Sequence, residues 1–107
     1  MKLSGYMYDF EGMDEYAWLV PEAVVTTKRI AFDWNEDGEE LHALLTSTDG
    51  GCTYKGCFGS PEPDKRCVME AERYESKASK TLLVIRWHRR DSGDEGHSLI
   101  ELATQWE

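Results

Sequence analysis

Apolar and polar positions alternate along most of this chain, and most regularly from Thr81 to Trp106. In an extended strand successive side chains point to opposite faces. Leu83, Ile85 and Trp87 therefore share one face, while Leu82, Val84, Arg86 and His88 share the other. Arg90 continues the second face and Arg89 points the other way. The polar stretch Asp91-Ser92-Gly93-Asp94-Glu95-Gly96 holds two glycines able to adopt positive φ, so it predicts a turn. The chain then returns with Ile100, Leu102 and Trp106 on one side and Leu99, Glu101 and Ala103 on the other. This is the pattern of a long β-hairpin with Leu83, Ile85, Trp87, Ile100 and Leu102 in the core. A helix over Leu99 to Gln105 lacks a good N-cap and a core-facing period.

The same period recurs upstream. Lys2 to Phe10 places Ser4, Tyr6, Tyr8 and Phe10 on one face and Leu3, Gly5, Met7 and Asp9 on the other. Tyr16, Trp18 and Val20 alternate within Met13 to Val20, although that composition also suits a short helix, and Pro21 ends or bends either one. Ala23 to Lys28 is rich in β-branched residues, and Arg29 to Trp34 sets Ile30, Phe32 and Trp34 on one face. Asn35-Glu36-Asp37-Gly38 predicts a hairpin turn into Leu41 to Ser47, and Asp49-Gly50-Gly51 the next, into Cys52 to Gly59. A Pro-containing loop from Ser60 to Asp64 follows. The segment 66–78 is open between strand and helix, because Arg66 to Tyr74 combines good helix propensity with alternating Cys67, Met69 and Ala71.

Seven or eight short strands joined by tight turns, with no βαβ alternation, predict an all-β fold over residues 1–107. The expected architecture is a single-domain antiparallel meander. Its exposed edges would be hidden by closing into a small barrel or by folding into a flattened sandwich. Gly5-Tyr6-x-Tyr8, Tyr54-Lys55-Gly56 and the closing Arg73-Tyr74 and Leu82-Leu83-Val84-Ile85-Arg86-Trp87 resemble the rhythm of small calycin-like meander barrels, the lipocalin and fatty-acid-binding group. Gly5-x-Met7 stands where lipocalins carry Gly-x-Trp. The resemblance implies a barrel that carries a small apolar ligand.

Length and charge narrow the classes. A chain of 107 residues is one domain's worth, able to bury about two thirds of its unfolded surface without disulfides or metal. No run of apolar residues is long enough for a transmembrane helix, and no signal-peptide pattern opens the chain, so a soluble, cytoplasmic protein is expected. The odd count of three cysteines fits free thiols in a reducing compartment. The net charge of −9 belongs to residues 1–64, with 13 acidic residues to four basic, whereas residues 65–107 balance at eight of each. Such a surface repels phosphate backbones and anionic lipids, so neither nucleic acid nor membrane is an expected partner.

Candidate chemistry is sparse. Asp33-x-Asn35-x-Asp37-Gly38 has the spacing of the first half of a calcium loop, but the twelfth position is Leu44 where a bidentate Glu is needed. An acidic hairpin turn accounts for it. Cys52, Cys57 and Cys67, with His42, His88 and His97, lack the closely spaced Cys pairs of structural zinc sites. No nucleophile elbow or phosphate loop is present, and no cofactor is implied. Arg86, His88 and Arg90 form the main basic patch; they either bind an acidic partner or pair with the chain's own acids, Glu101 among them, as Lys77 and Lys80 can also do. Tyr6, Tyr8, Trp18 and Trp34 head a set of aromatics expected to fill the core for the most part and, where exposed together, to form a binding surface. The function expected from these features is non-enzymatic binding of a protein partner, such as an inhibitor or immunity-type factor masking a basic surface. The alternative is a calycin-like carrier of a small apolar ligand, with the aromatics lining its cavity.

Overall fold

The structure, a computed structural model, describes residues 2–11, 13–76 and 80–104. Lys77 and Trp106 lie outside them. The described residues form eight strands: β1 (Lys2–Glu11), β2 (Asp14–Val25), β3 (Arg29–Glu36), β4 (Glu39–Thr46), β5 (Thr53–Gly59), β6 (Asp64–Glu75), β7 (Lys80–Arg89) and β8 (Glu95–Thr104). Each pairs antiparallel with the next, and β1 pairs with β8 from Leu3↔Thr104 to Phe10↔His97, closing a barrel in which every strand has a partner on both flanks. The meander is a closed barrel and not a flattened sandwich.

The ambiguous segments form strand over residues 14–20 and 66–75, and residues 77 and 78 lie outside the described ones. Residues 14–20 belong to β2, which runs on through Pro21 to Val25. In β6, Thr53–Cys57 pairs on one flank and Thr81–Arg89 on the other, and these two ladders outweigh the segment's helix propensity. The β3–β4 turn has positive φ at Asp37 (52°) and Gly38 (87°), the type I′ geometry that matches strand twist. The alternation that begins at Thr81 resolves as β7 and β8 in register from Lys80↔Ala103 to His88↔Glu95, with Leu83, Ile85, Ile100 and Leu102 fully buried and Trp87 packed against them.

The lower half of the barrel is solid. Ile30, Leu45, Leu83, Ile85, Ile100 and Leu102 are at most 1% exposed. Tyr54 closes that end: its hydroxyl donates to the Thr26 carbonyl at 2.6 Å and accepts from Arg73 Nη1 at 3.3 Å. Arg73 Nε donates in turn to Glu75 at 2.8 Å, and the Thr81 hydroxyl donates to the same carboxylate at 3.0 Å. A barrel this narrow brings strands into close approach at two inward glycines. A Cβ on Gly5 would stand 1.8 Å from the Glu101 carbonyl oxygen, and one on Gly56 2.0 Å from that of Leu44.

The β4–β5 turn is organised by Asp49. Its carboxylate accepts from the Thr53 hydroxyl at 2.6 Å, the Thr53 N–H at 3.0 Å, the Ser47 hydroxyl at 2.8 Å and the Cys52 N–H at 3.1 Å. These donors, Thr53 first, hold its pKa far below the ordinary 3.8. A depressed folded-state pKa contributes stability that is present above the unfolded value and lost as pH falls through the folded one. The variant D49N is therefore expected to melt below the native protein at pH 7. The gap should narrow as pH drops below about 4. Thermal melts at several pH values check this, and a gap that widens in acid would contradict it.

Candidate functional site

The opposite end of the barrel is open, and the opening starts at Pro21. The β2–β3 ladder runs from Val25↔Ile30 only to Glu22↔Asp33. Proline has no N–H to donate, and β1–β2 pairing slips by one residue between Leu3↔Ala23 and Gly5↔Val20. This bulge turns Trp18 and Val20 inward on one side of it and Ala23 on the other. Beyond it, the first half of β2 stays paired with β1 but leaves β3. The gap exposes a cavity of about 270 Å³.

Its walls come from most of the strands. Met7 and Met69, each 1% exposed, line its base where the solid core ends. Trp18 and Trp34 flank the β2–β3 gap, and Tyr16 stacks on Trp18 at 6.2 Å with the rings 9° apart. Across the barrel the aromatic wall continues from Trp34 to Phe58 (6.2 Å) and from Phe58 to Trp87 (6.4 Å, edge to face). Apolar rings with a few convergent charges are the usual make-up of a ligand pocket, and this one lies near the small end of the usual range of about 300–1,000 Å³.

The charges sit at the rim. Asp9, at the top of the inward face of β1, accepts from the Trp18 indole N–H at 2.8 Å and from the Ser98 hydroxyl. Glu36 ends the inward face of β3. Burial pushes its pKa up and the negative Asp9 pushes it further, against the opposing pull of Arg89. Arg89 ends the inward face of β7, with its guanidinium 5.7 Å from the Phe58 ring centre and 6.0 Å from that of Trp87. Two buried nitrogens here, Trp34 Nε1 and Arg89 Nε, have no hydrogen-bond partner among the described residues.

The residues singled out from sequence divide between this mouth and the outer wall. Trp18 and Trp34 line the cavity. Tyr6 and Tyr8 do not: they point outward from β1, with Tyr6 53% exposed and opposite Leu19, itself 55% exposed. Phe10 is also exposed, so the aromatic face of β1 is its outer one and the expected core role passes to Leu3 and Met7. Arg86 and His88 are exposed on the outer wall and Arg90 in the β7–β8 turn, where its N–H donates to the Arg66 carbonyl. Arg86 pairs with Glu70 at 3.3 Å, and Lys80 with Glu101. The outer depression beside Arg86, about 320 Å³, is a groove of solvated side chains such as Lys55, Glu70 and His97, without the aromatic enclosure of the mouth.

Asp9, Glu36 and Arg89 are the site residues that sequence reading passed over. The signal was present: each is a charge at the end of an otherwise apolar strand face, which is where a barrel face meets solvent. The calcium-like spacing serves the hairpin, with Asn35 Oδ1 accepting from the Gly38 N–H at 2.9 Å and Asp33 bonded to His42 Nδ1 at 2.7 Å. Asp33, Glu40 and His42 bring their ligand-type atoms within 4.8 Å of one another on the outer wall. The three thiols are free and join no such cluster among the described residues. Burial holds the Cys67 thiol above its ordinary pKa, away from the thiolate a nucleophile needs. Compared with known proteins, the chain matches no protein-family model, no curated protein and no solved structure.

Proposed function

We propose that this protein is a small-molecule binder that takes its ligand into the open mouth of the barrel. The observation that carries the reading is the asymmetry of the interior: Tyr54 and a packed core seal one end, while the β2–β3 gap opens a cavity walled by Trp18, Trp34, Phe58 and Trp87 at the other. This is the ligand-carrying alternative implied by the calycin-like resemblance, in reduced form. The lower barrel is filled, so the ligand is a compact one held near the rim and not a long acyl chain. The outer wall carries Lys55, Glu70 and Arg86 at mid-strand, which favours water over lipid around the barrel.

Ring contacts to tryptophan make the test simple. Titration with small aryl compounds is expected to give a saturable 1:1 change in intrinsic fluorescence, and W18A to weaken it by about tenfold or more. A response that fails to saturate, or that is unchanged in W18A, would sink the reading.

A second reading, a protein partner with a basic surface, is supported by the outward Tyr6, Phe10 and Leu19 on β1 and β2, beside the acidic Glu15 and Glu22. It expects L19E to abolish capture of any basic protein retained by the native chain. Equal capture by L19E would count against it.

A further inference from the structure

We infer, on the reading of the mouth as a ligand site, that its ligand is a small organic cation: a protonated amine or quaternary ammonium group on a short apolar body. Charge is the first ground. Asp9, Glu36, Asp37 and Asp94 line the cavity against a single cation, Arg89. Among the described residues no Lys or Arg lies within ion-pair distance of Asp9 or Glu36. An incoming cation offsets the mutual repulsion of these carboxylates in a partly dry site.

The aromatic wall is the second ground. A cation within about 6 Å of an indole face is attracted by the ring quadrupole. Arg89 already occupies that role over Phe58 and Trp87. The Trp18 and Trp34 wall, next to Asp9 and Glu36, has no such guest among the described residues. The ligand's charge therefore belongs on that wall, away from Arg89.

The third ground is the buried Trp34, 4% exposed, whose indole N–H has no partner among the described residues. Trp34 lines the cavity together with Glu36, which follows it on the same inward face of β3. A buried N–H left open in the cavity wall points to a guest seated there.

Three probes of one shape separate the outcomes: 2-phenylethylamine, neutral 2-phenylethanol and anionic phenylacetate, each titrated calorimetrically against the whole protein at pH 7. The amine is expected to bind at least about tenfold tighter than the alcohol, with phenylacetate weakest. E36Q should erase most of the amine's advantage over the alcohol. Equal affinity for amine and alcohol, or tightest binding of phenylacetate through Arg89, would overturn the cation assignment and leave the mouth as a ligand site. Binding of none of the three would overturn both. The comparison among probes on the native protein stands even if E36Q folds poorly.

Discussion

Replacing Gly56 by alanine is expected to destabilise the barrel by about 3 kcal/mol or more, at the severe end of overpacking. The new methyl would stand 2.0 Å from the Leu44 carbonyl oxygen and 2.7 Å from the Leu45 Cα. Both are backbone atoms, so no side-chain rotation relieves the clash. The β4–β5 pair must separate around Leu45↔Gly56, and Leu45 is a fully buried core residue. G5A should behave alike at the closing seam, where the contact is 1.8 Å to the Glu101 carbonyl oxygen. Urea unfolding measures both effects, with K55A as the control: Lys55 is adjacent in sequence but exposed, and its loss should change stability by no more than about 0.5 kcal/mol. Gly56 and Gly5 variants as stable as the control would mean that the strands do not approach as described.

Truncation of Trp34 to alanine is expected to cost about 3–5 kcal/mol, the usual range for a buried aromatic. Trp34 is 4% exposed and packs against Phe32 at 5.3 Å and Phe58 at 6.2 Å, so its removal opens the solid core to the cavity. W18A should cost less, roughly 1–2 kcal/mol, because Trp18 is half-buried at the rim and its main polar tie is the bond to Asp9. The two tryptophans thus part company: one supports the fold and the site, the other chiefly the site. Paired urea titrations and binding assays read this directly. Equal destabilisation by both would contradict the placement of Trp18 at an open edge.

How far the sequence reveals this molecule differs by element. The β7–β8 hairpin is legible because a branched apolar run and an alternating return strand leave one consistent register. The segment from Arg66 to Tyr74 is not, since its helix-favouring residues are overruled only by the two strands that flank it in space. On β1 both faces carry apolar residues, and size decides between them: Leu3, Gly5 and Met7 fit the narrow interior at the seam with β8, and the larger Tyr6 and Phe10 remain outside. Trp18 and Trp34 can be picked out as candidate binding residues from composition and alternation. Their meeting across a gap depends on the bulge at Pro21: the proline marks a bend in the sequence, but not the one-residue slip against β1 that shifts the face of β2. Arg89 was separable from Arg86, His88 and Arg90 by alternation alone, but only the closed barrel turns that inward direction into a place at the mouth.

The open mouth as a ligand site can be examined residue by residue in the ¹H–¹⁵N spectrum of the labelled protein titrated with 2-phenylethylamine. Saturable shifts are expected at the indole N–H signals of Trp18, Trp34 and Trp87, with the Tyr54 amide at the sealed end unmoved. Shifts confined to the outer wall around Tyr6 and Leu19, or none that saturate, would contradict it.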